Sequence, residues 1–129
     1  MKTFNFFLLL IFFLYVSNSP ISKKSDYIQV LGTIQDAGFP HIGCEKDCCE
    51  DIKPGEYFVS CLGLVDRKNN KRYLFDATPD IHHQLRLLES SPPDDLISGI
   101  FLTHAHIGHY SGLMYLGREG LGGNNIRVY

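Results

Sequence analysis

Ile97-Ser98-Gly99-Ile100-Phe101-Leu102-Thr103-His104-Ala105-His106-Ile107-Gly108-His109 is the stretch that decides the reading of this chain. An apolar run ends in three imidazoles that fall within six residues, in a chain with six His altogether. Histidine is the commonest metal ligand among side chains. A turn at the end of a strand suits converging ligands, because the sheet holds it still and no regular hydrogen-bond ladder competes for it. His104 and His106 lie two apart, so an extended segment puts them on one face. His109 follows after Gly108, where the chain folds back easily. The alternative is a set of solvent-exposed loop histidines, which the tight spacing disfavours.

Outward from this string the pattern alternates between strands and helices. Tyr27 to Leu31 alternates and reads as a first strand. Gly32 to Cys49 is a long loop broken by Gly38, Pro40 and Gly43. Phe58 to Val65 is expected as a second strand with a bulge at Gly63. Asp66 to Lys71 is a polar hairpin turn, and Arg72 to Phe75 the return strand, which places Asp76 at its end. Thr78-Pro79-Asp80 opens a helix, with Thr78 as cap. Ile81, Leu85 and Leu88 form its buried stripe, and Ser90-Ser91-Pro92-Pro93 ends it. Ile97 to Leu102 delivers the histidines. Ser111 caps a second helix through Leu116 that ends near Gly120. Gly122 to Asn125 is a turn before a strand at Ile126 to Tyr129. This alternation predicts a layered α/β fold.

The histidine string resembles the first metal motif of the metallo-β-lactamase superfamily, H-x-H-x-D-H. The resemblance implies that His104 and His106 serve one zinc and His109 a second. The Asp position of the motif is Gly108 here, so the second metal lacks that carboxylate and the orientation of an attacking water lacks that helper. A second match is narrower. Val30-Leu31-Gly32-Thr33-Ile34-Gln35-Asp36-Ala37-Gly38-Phe39-Pro40, a Cys cluster and Thr103 to Met114 together resemble the coenzyme PQQ biosynthesis protein B group and its metallo-hydrolase relatives. The retained His104 and His106 favour the hydrolase-like relatives. The resemblance covers roughly Tyr27 to Tyr129 and implies the N-terminal half of an αββα sandwich. The remaining ligands of such a fold come later, and no His follows His109. A fragment is therefore expected, with residues 20–129 a partial domain whose C-terminal half is absent. A catalytic zinc normally takes three protein ligands, so this stretch alone is expected to have little activity.

Residues 1–19 have the layout of a signal peptide: Lys2, an apolar run from Phe4 to Val16, then Ser17-Asn18-Ser19. The run is short for a membrane span, which needs about 20 residues. Export to the periplasm or outside is the expectation. Pro20 after the natural cut keeps an uncleaved anchor as the alternative. The net charge of −2 and the lack of a basic stripe argue against a nucleic-acid partner.

Asp76 is expected beside the metal site, accepting a hydrogen bond from a ligand His or the backbone; an ordinary strand-end Asp is the alternative. Asp36 faces the site mouth or satisfies its own turn. His82 and His83 are neighbours on a helix, about 100° apart, and do not readily share a metal. Cys44, Cys48 and Cys49 crowd one loop. The protein B group carries a Cys-rich loop that resembles a structural zinc site, with His41 or Cys61 as fourth donor. Export favours disulfides instead, and both readings stay open. Adjacent Cys48 and Cys49 do not readily bond each other.

The function expected is a zinc-dependent hydrolase acting on a small ester, amide, lactone or phosphodiester. The alternatives are a PQQ-biosynthesis-related protein, oxidative and with iron in place of zinc, and a non-catalytic metal-binding fragment. The substrate, the metal and the oligomeric state are not legible in the sequence.

Overall fold

A computed structural model describes residues 25–53, 55–88 and 96–129. The expected signal peptide and the helix stop at Ser90 to Pro93 lie outside the described residues. Five strands form one sheet in sequence order: β1 (Tyr27–Gly32), β2 (Cys61–Asp66), β3 (Lys71–Phe75), β4 (Gly99–Phe101) and β5 (Arg127–Val128). β1 to β3 are antiparallel neighbours, whereas β3, β4 and β5 run parallel. The polar turn after Asp66 makes the antiparallel hairpin, with Asp66 opposite Lys71. Parallel pairing needs crossovers. Helix α2 (Ile81–Leu87) lies between β3 and β4 in sequence. The one-turn α3 (Ile107–Tyr110) and a 3-10 segment (Ser111–Leu116) lie between β4 and β5. A four-residue helix, α1 (Asp47–Glu50), sits in the long loop after β1.

The helices cover one face of the sheet. Leu31, Cys61, Val65, Leu74 and Ile100 meet Ile81, Leu85 and Leu88 in a single buried cluster, so the stripe expected on α2 does face the core. On the other sheet face, Ile28 and Val30 are 63% and 62% exposed. Aromatic rings line it, with Phe101 stacked between Phe75 (5.3 Å) and Tyr129 (4.8 Å). The result is an α/β arrangement of one helical layer on one mixed sheet.

Four local expectations need correction. The regular second strand begins at Cys61, not Phe58, because Phe58 to Ser60 turns to hold the loop after β1. Val59 makes one parallel bridge to Ile34, and the Thr33 and Ile34 amides donate to the Phe58 carbonyl. Gly63 is no bulge; it pairs regularly with Gln29 and Leu74, and the irregularity lies between Val30 and Gly32. Asp80, not Thr78, occupies the N-cap position of α2. Its carboxylate accepts from the Val59 amide, while the buried Thr78 hydroxyl accepts from the Asp80 amide and donates to Gln84 Oε1. Finally, the second helix starts at Ile107 rather than Ser111 and tightens into 3-10 geometry.

Candidate metal centre

The site is built where β3 and β4 end side by side. Phe75 pairs with Phe101, and the chain leaves both strands at the same edge. Asp76 follows β3 with φ of 73°, in the left-handed region. For a residue with a Cβ this costs energy and persists only where the surroundings fix it. Here they do. Its amide donates to the Phe101 carbonyl (2.8 Å), and the next amide, of Ala77, donates to the His109 carbonyl (2.8 Å). The carboxylate then points at the turn after β4. Asp76 Oδ1 accepts from the Thr103 amide (2.8 Å) and hydroxyl (2.9 Å). Asp76 Oδ2 lies 2.8 Å from His109 Nδ1.

This network assigns the imidazole tautomers. A proton on His109 Nδ1 satisfies Asp76 and leaves Nε2 with its lone pair. Thr103 Oγ1 is 2.9 Å from His104 Nδ1. With the hydroxyl hydrogen given to Asp76, Oγ1 accepts from His104 Nδ1–H, so His104 Nε2 is also a lone-pair nitrogen. The third imidazole, His106, has Nδ1 3.1 Å from His104 Nε2. The ring of His104 is 4.6 Å from that of His106 and 4.0 Å from that of His109. All three histidines singled out by spacing therefore converge. Thr103, to which the sequence reading gave no role, links Asp76 to His104; its place one residue before the first His was the available signal.

Two glycines make the convergence sterically possible. A Cβ on Gly108 would overlap the Asp36 carbonyl oxygen, and one on Gly112 would overlap the Thr78 carbonyl oxygen. Spaced four apart, they let α3 and the 3-10 segment rest directly on two backbone loops. Asp36 Oδ2 comes to 3.6 Å from His106 Nδ1, so Asp36 does face the site mouth.

Among the described residues, no three His, Cys, Asp or Glu side chains stand in ready metal-binding geometry. His104 Nε2 and His106 Nδ1 hydrogen-bond to each other, although both would be free to bind an ion. The donor set itself fits a divalent transition metal: neutral imidazoles, one of them oriented by a buried carboxylate. Two tetrahedral donors, each about 2.1 Å from a zinc ion, stand about 3.4 Å apart. The 3.1 Å between His104 Nε2 and His106 Nδ1 is close to that.

The other candidates separate. Cys44 and Cys49 form a disulfide, and Cys48 and Cys61 are free thiols. In this state two of the four donors suggested for a structural zinc are not thiolates, and the fourth donor, His41, has Nε2 2.6 Å from the Gln35 side-chain nitrogen. Cys61 is in the core rather than with the loop. Its Sγ lies 3.7 Å from the Asp76 carbonyl oxygen. Burial, and then the Asp76 charge, push its thiol up to about 12. The His82 and His83 rings are not splayed apart; their centroids are 3.9 Å apart, with His83 stacked on Phe58 at 5.1 Å.

A sheet that delivers clustered histidines from the end of one strand, with an aspartate from the end of its neighbour, is the arrangement of a metallo-β-lactamase-type site. Residues 71–129 match the family model described as a beta-lactamase superfamily domain, and over that part the chain is similar to members of the metallo-β-lactamase superfamily. It is similar to coenzyme PQQ synthesis protein B of Klebsiella pneumoniae (strain 342), with 34% identity over 73% of this chain and 33% of that protein. The corresponding protein of Pseudomonas syringae pv. tomato is 35% identical over 73% of this chain and 34% of its own length. The chain thus spans about a third of the length of the curated relatives it matches. Among solved structures it resembles a diphosphatase from the PhnP family (TM-score 0.58, 28% identity, 81% of this chain and 41% of that one). It also shares a fold with Zn(2+)-bound PqqB from Methylobacterium extorquens (TM-score 0.56, 22% identity, 70% and 36%).

Proposed function

We propose that this chain carries the metal-holding histidines of a zinc-dependent hydrolase. The observation that carries the reading is the convergence of His104, His106 and His109 beside Asp76, which stands 2.8 Å from His109 Nδ1. His104 and His106 hold the metal, and His109 binds a second ion or the substrate. A zinc ion bound there would supply an activated water and polarise a carbonyl or phosphoryl oxygen. The chain's own residues do the rest. Asp76 fixes the His109 ring through Nδ1 and so turns its Nε2 towards the site, and Thr103 does the same for His104. The substrate class is a small ester, amide, lactone or phosphodiester, and the likeness to a diphosphatase favours the phosphoester. Likeness to the PQQ synthesis proteins supports a second reading, an oxidative role with iron at the same histidines. Export, read from the layout of residues 1–19, is the proposed setting.

The test is metal content and hydrolysis of the full-length protein against His104→Ala. Loss of bound zinc together with phosphodiester hydrolysis supports the reading. Bound iron and no hydrolysis by the wild type moves it to the oxidative role, and equal metal content in both proteins abandons the site.

A further inference from the structure

The space above Gly108 is taken by the backbone of Asp36, whose carbonyl oxygen a Cβ there would overlap; the Asp36 Cβ would itself lie 2.5 Å away. No carboxylate borne on residue 108 fits this fold. The same loop brings a carboxylate of its own. Asp36 Oδ2 is 3.6 Å from His106 Nδ1, the nitrogen that also faces His104 Nε2 at 3.1 Å. Both separations bracket the roughly 3.4 Å expected of two donors sharing one tetrahedral ion. The Asp36 side chain is 33% exposed and that of His106 72% exposed, so the pair lies at the mouth of the site.

The loop is anchored on both sides of Asp36. Before it, the Ser60 amide (2.9 Å) and hydroxyl (2.8 Å) donate to the Ile34 carbonyl. After it, Gln35 ties down the turn: its Oε1 accepts from the Ala37 amide (3.1 Å), and its Nε2 donates to the Gly38 carbonyl (2.6 Å). Such fixing lowers the ordering cost of a ligand.

We propose that Asp36 is a metal ligand, delivering from the loop after β1 the carboxylate that Gly108 does not provide. The site is then two imidazoles and one carboxylate, His104, His106 and Asp36, with His109 next to them. This rests on the metal-site reading above. A glycine at 108 becomes a steric requirement of the incoming loop, and the anionic ligand comes from the loop after the edge strand β1, which leaves the sheet at the same end as the histidines.

The test uses the full-length protein in a Cys48→Ser background, with zinc binding measured by competition against a chromophoric chelator. Asp36→Asn keeps the volume and removes the charge; it is expected to weaken zinc binding at least about tenfold while the melting temperature of the metal-free protein stays the same. Asp36→Cys loaded with cobalt(II) is expected to show thiolate-to-metal charge-transfer absorption, a direct report of coordination. Unchanged zinc affinity in Asp36→Asn together with no such band in Asp36→Cys overturns the proposal and leaves the histidine site standing. Zinc binding that His104→Ala does not reduce overturns the histidine site and this proposal with it.

Discussion

At Asp76 three constraints meet on one residue: a left-handed backbone, a carboxylate shared by Thr103 and His109, and near-complete burial at 5% exposure. Asparagine tolerates the same φ, so Asp76→Asn separates charge from backbone. It is expected to fold, and to weaken zinc binding about 10- to 100-fold, since removing the partner that orients a ligand His typically has that effect. Competition titration checks it. Cys61, directly beneath, gives a second expectation. Its thiol is pushed from 9.0 up to about 12, so the folded state holds that proton more tightly than the unfolded one. The resulting stability is fully present below pH 9 and is lost as pH rises from 9 towards 12. Only the thiolate reacts. A maleimide at pH 8 is therefore expected to label Cys48 alone in the folded protein, and both free thiols in denaturant, read by mass spectrometry.

Among the elements, the short helix α3 depends most on what it rests against. Gly108 is buried in it, and its contact is backbone, which cannot step aside as a flexible side chain does. Gly108→Ala is expected to be destabilising by about 1–3 kcal/mol, the usual effect of overpacking, and to move the Asp36 loop away from His106. The midpoint of denaturant unfolding checks the first effect. Helix propensity alone favours alanine over glycine by roughly 1 kcal/mol, so a stabilised variant would refute the close approach. The sequence does not show this contact, because residues 36 and 108 come together only once β1 and β4 have joined one sheet. It does show α2: an apolar residue every three or four positions is a local property, and Ile81, Leu85 and Leu88 are all buried. The start of α2 was less legible. Thr78 and Asp80 are both good caps by type; Asp80 holds the N-cap position but turns its carboxylate to the distant Val59 amide, while the Thr78 hydroxyl accepts from the Asp80 amide.

Across the whole molecule, the helices and the histidine loop share one side of the architecture, and the other sheet face exposes Ile28, Val30 and Leu62. Since the loops after β1 and β4 both hang on the sheet, metal bound between them is expected to stabilise the entire fold. At a free zinc concentration a hundredfold above Kd the gain is about 2.7 kcal/mol. A thermal melt of the full-length protein is therefore expected to shift upward with zinc, and the shift is expected to vanish in His104→Ala. Absence of a shift in the wild type would mean that zinc does not bind the native state.

The sequence by itself pointed to the family resemblance, predicted the alternation of strands and helices, and singled out the candidate site residues. Each rests on neighbours in the chain: the spacing of His104, His106 and His109, the placing of Asp76 after an apolar strand, the stripe on α2. Tertiary structure alone decided which partners those residues meet. Asp76 reaches Thr103 and His109 because β3 and β4 pair in parallel and end together. Cys44 joins Cys49 rather than Cys48 or Cys61. Asp36 comes to His106 across 70 residues of chain because Gly108 has no side chain to keep the loop away. Local pattern fixes which groups are present, whereas distances between segments far apart in sequence are set by strand register and close packing, and no window of sequence contains them.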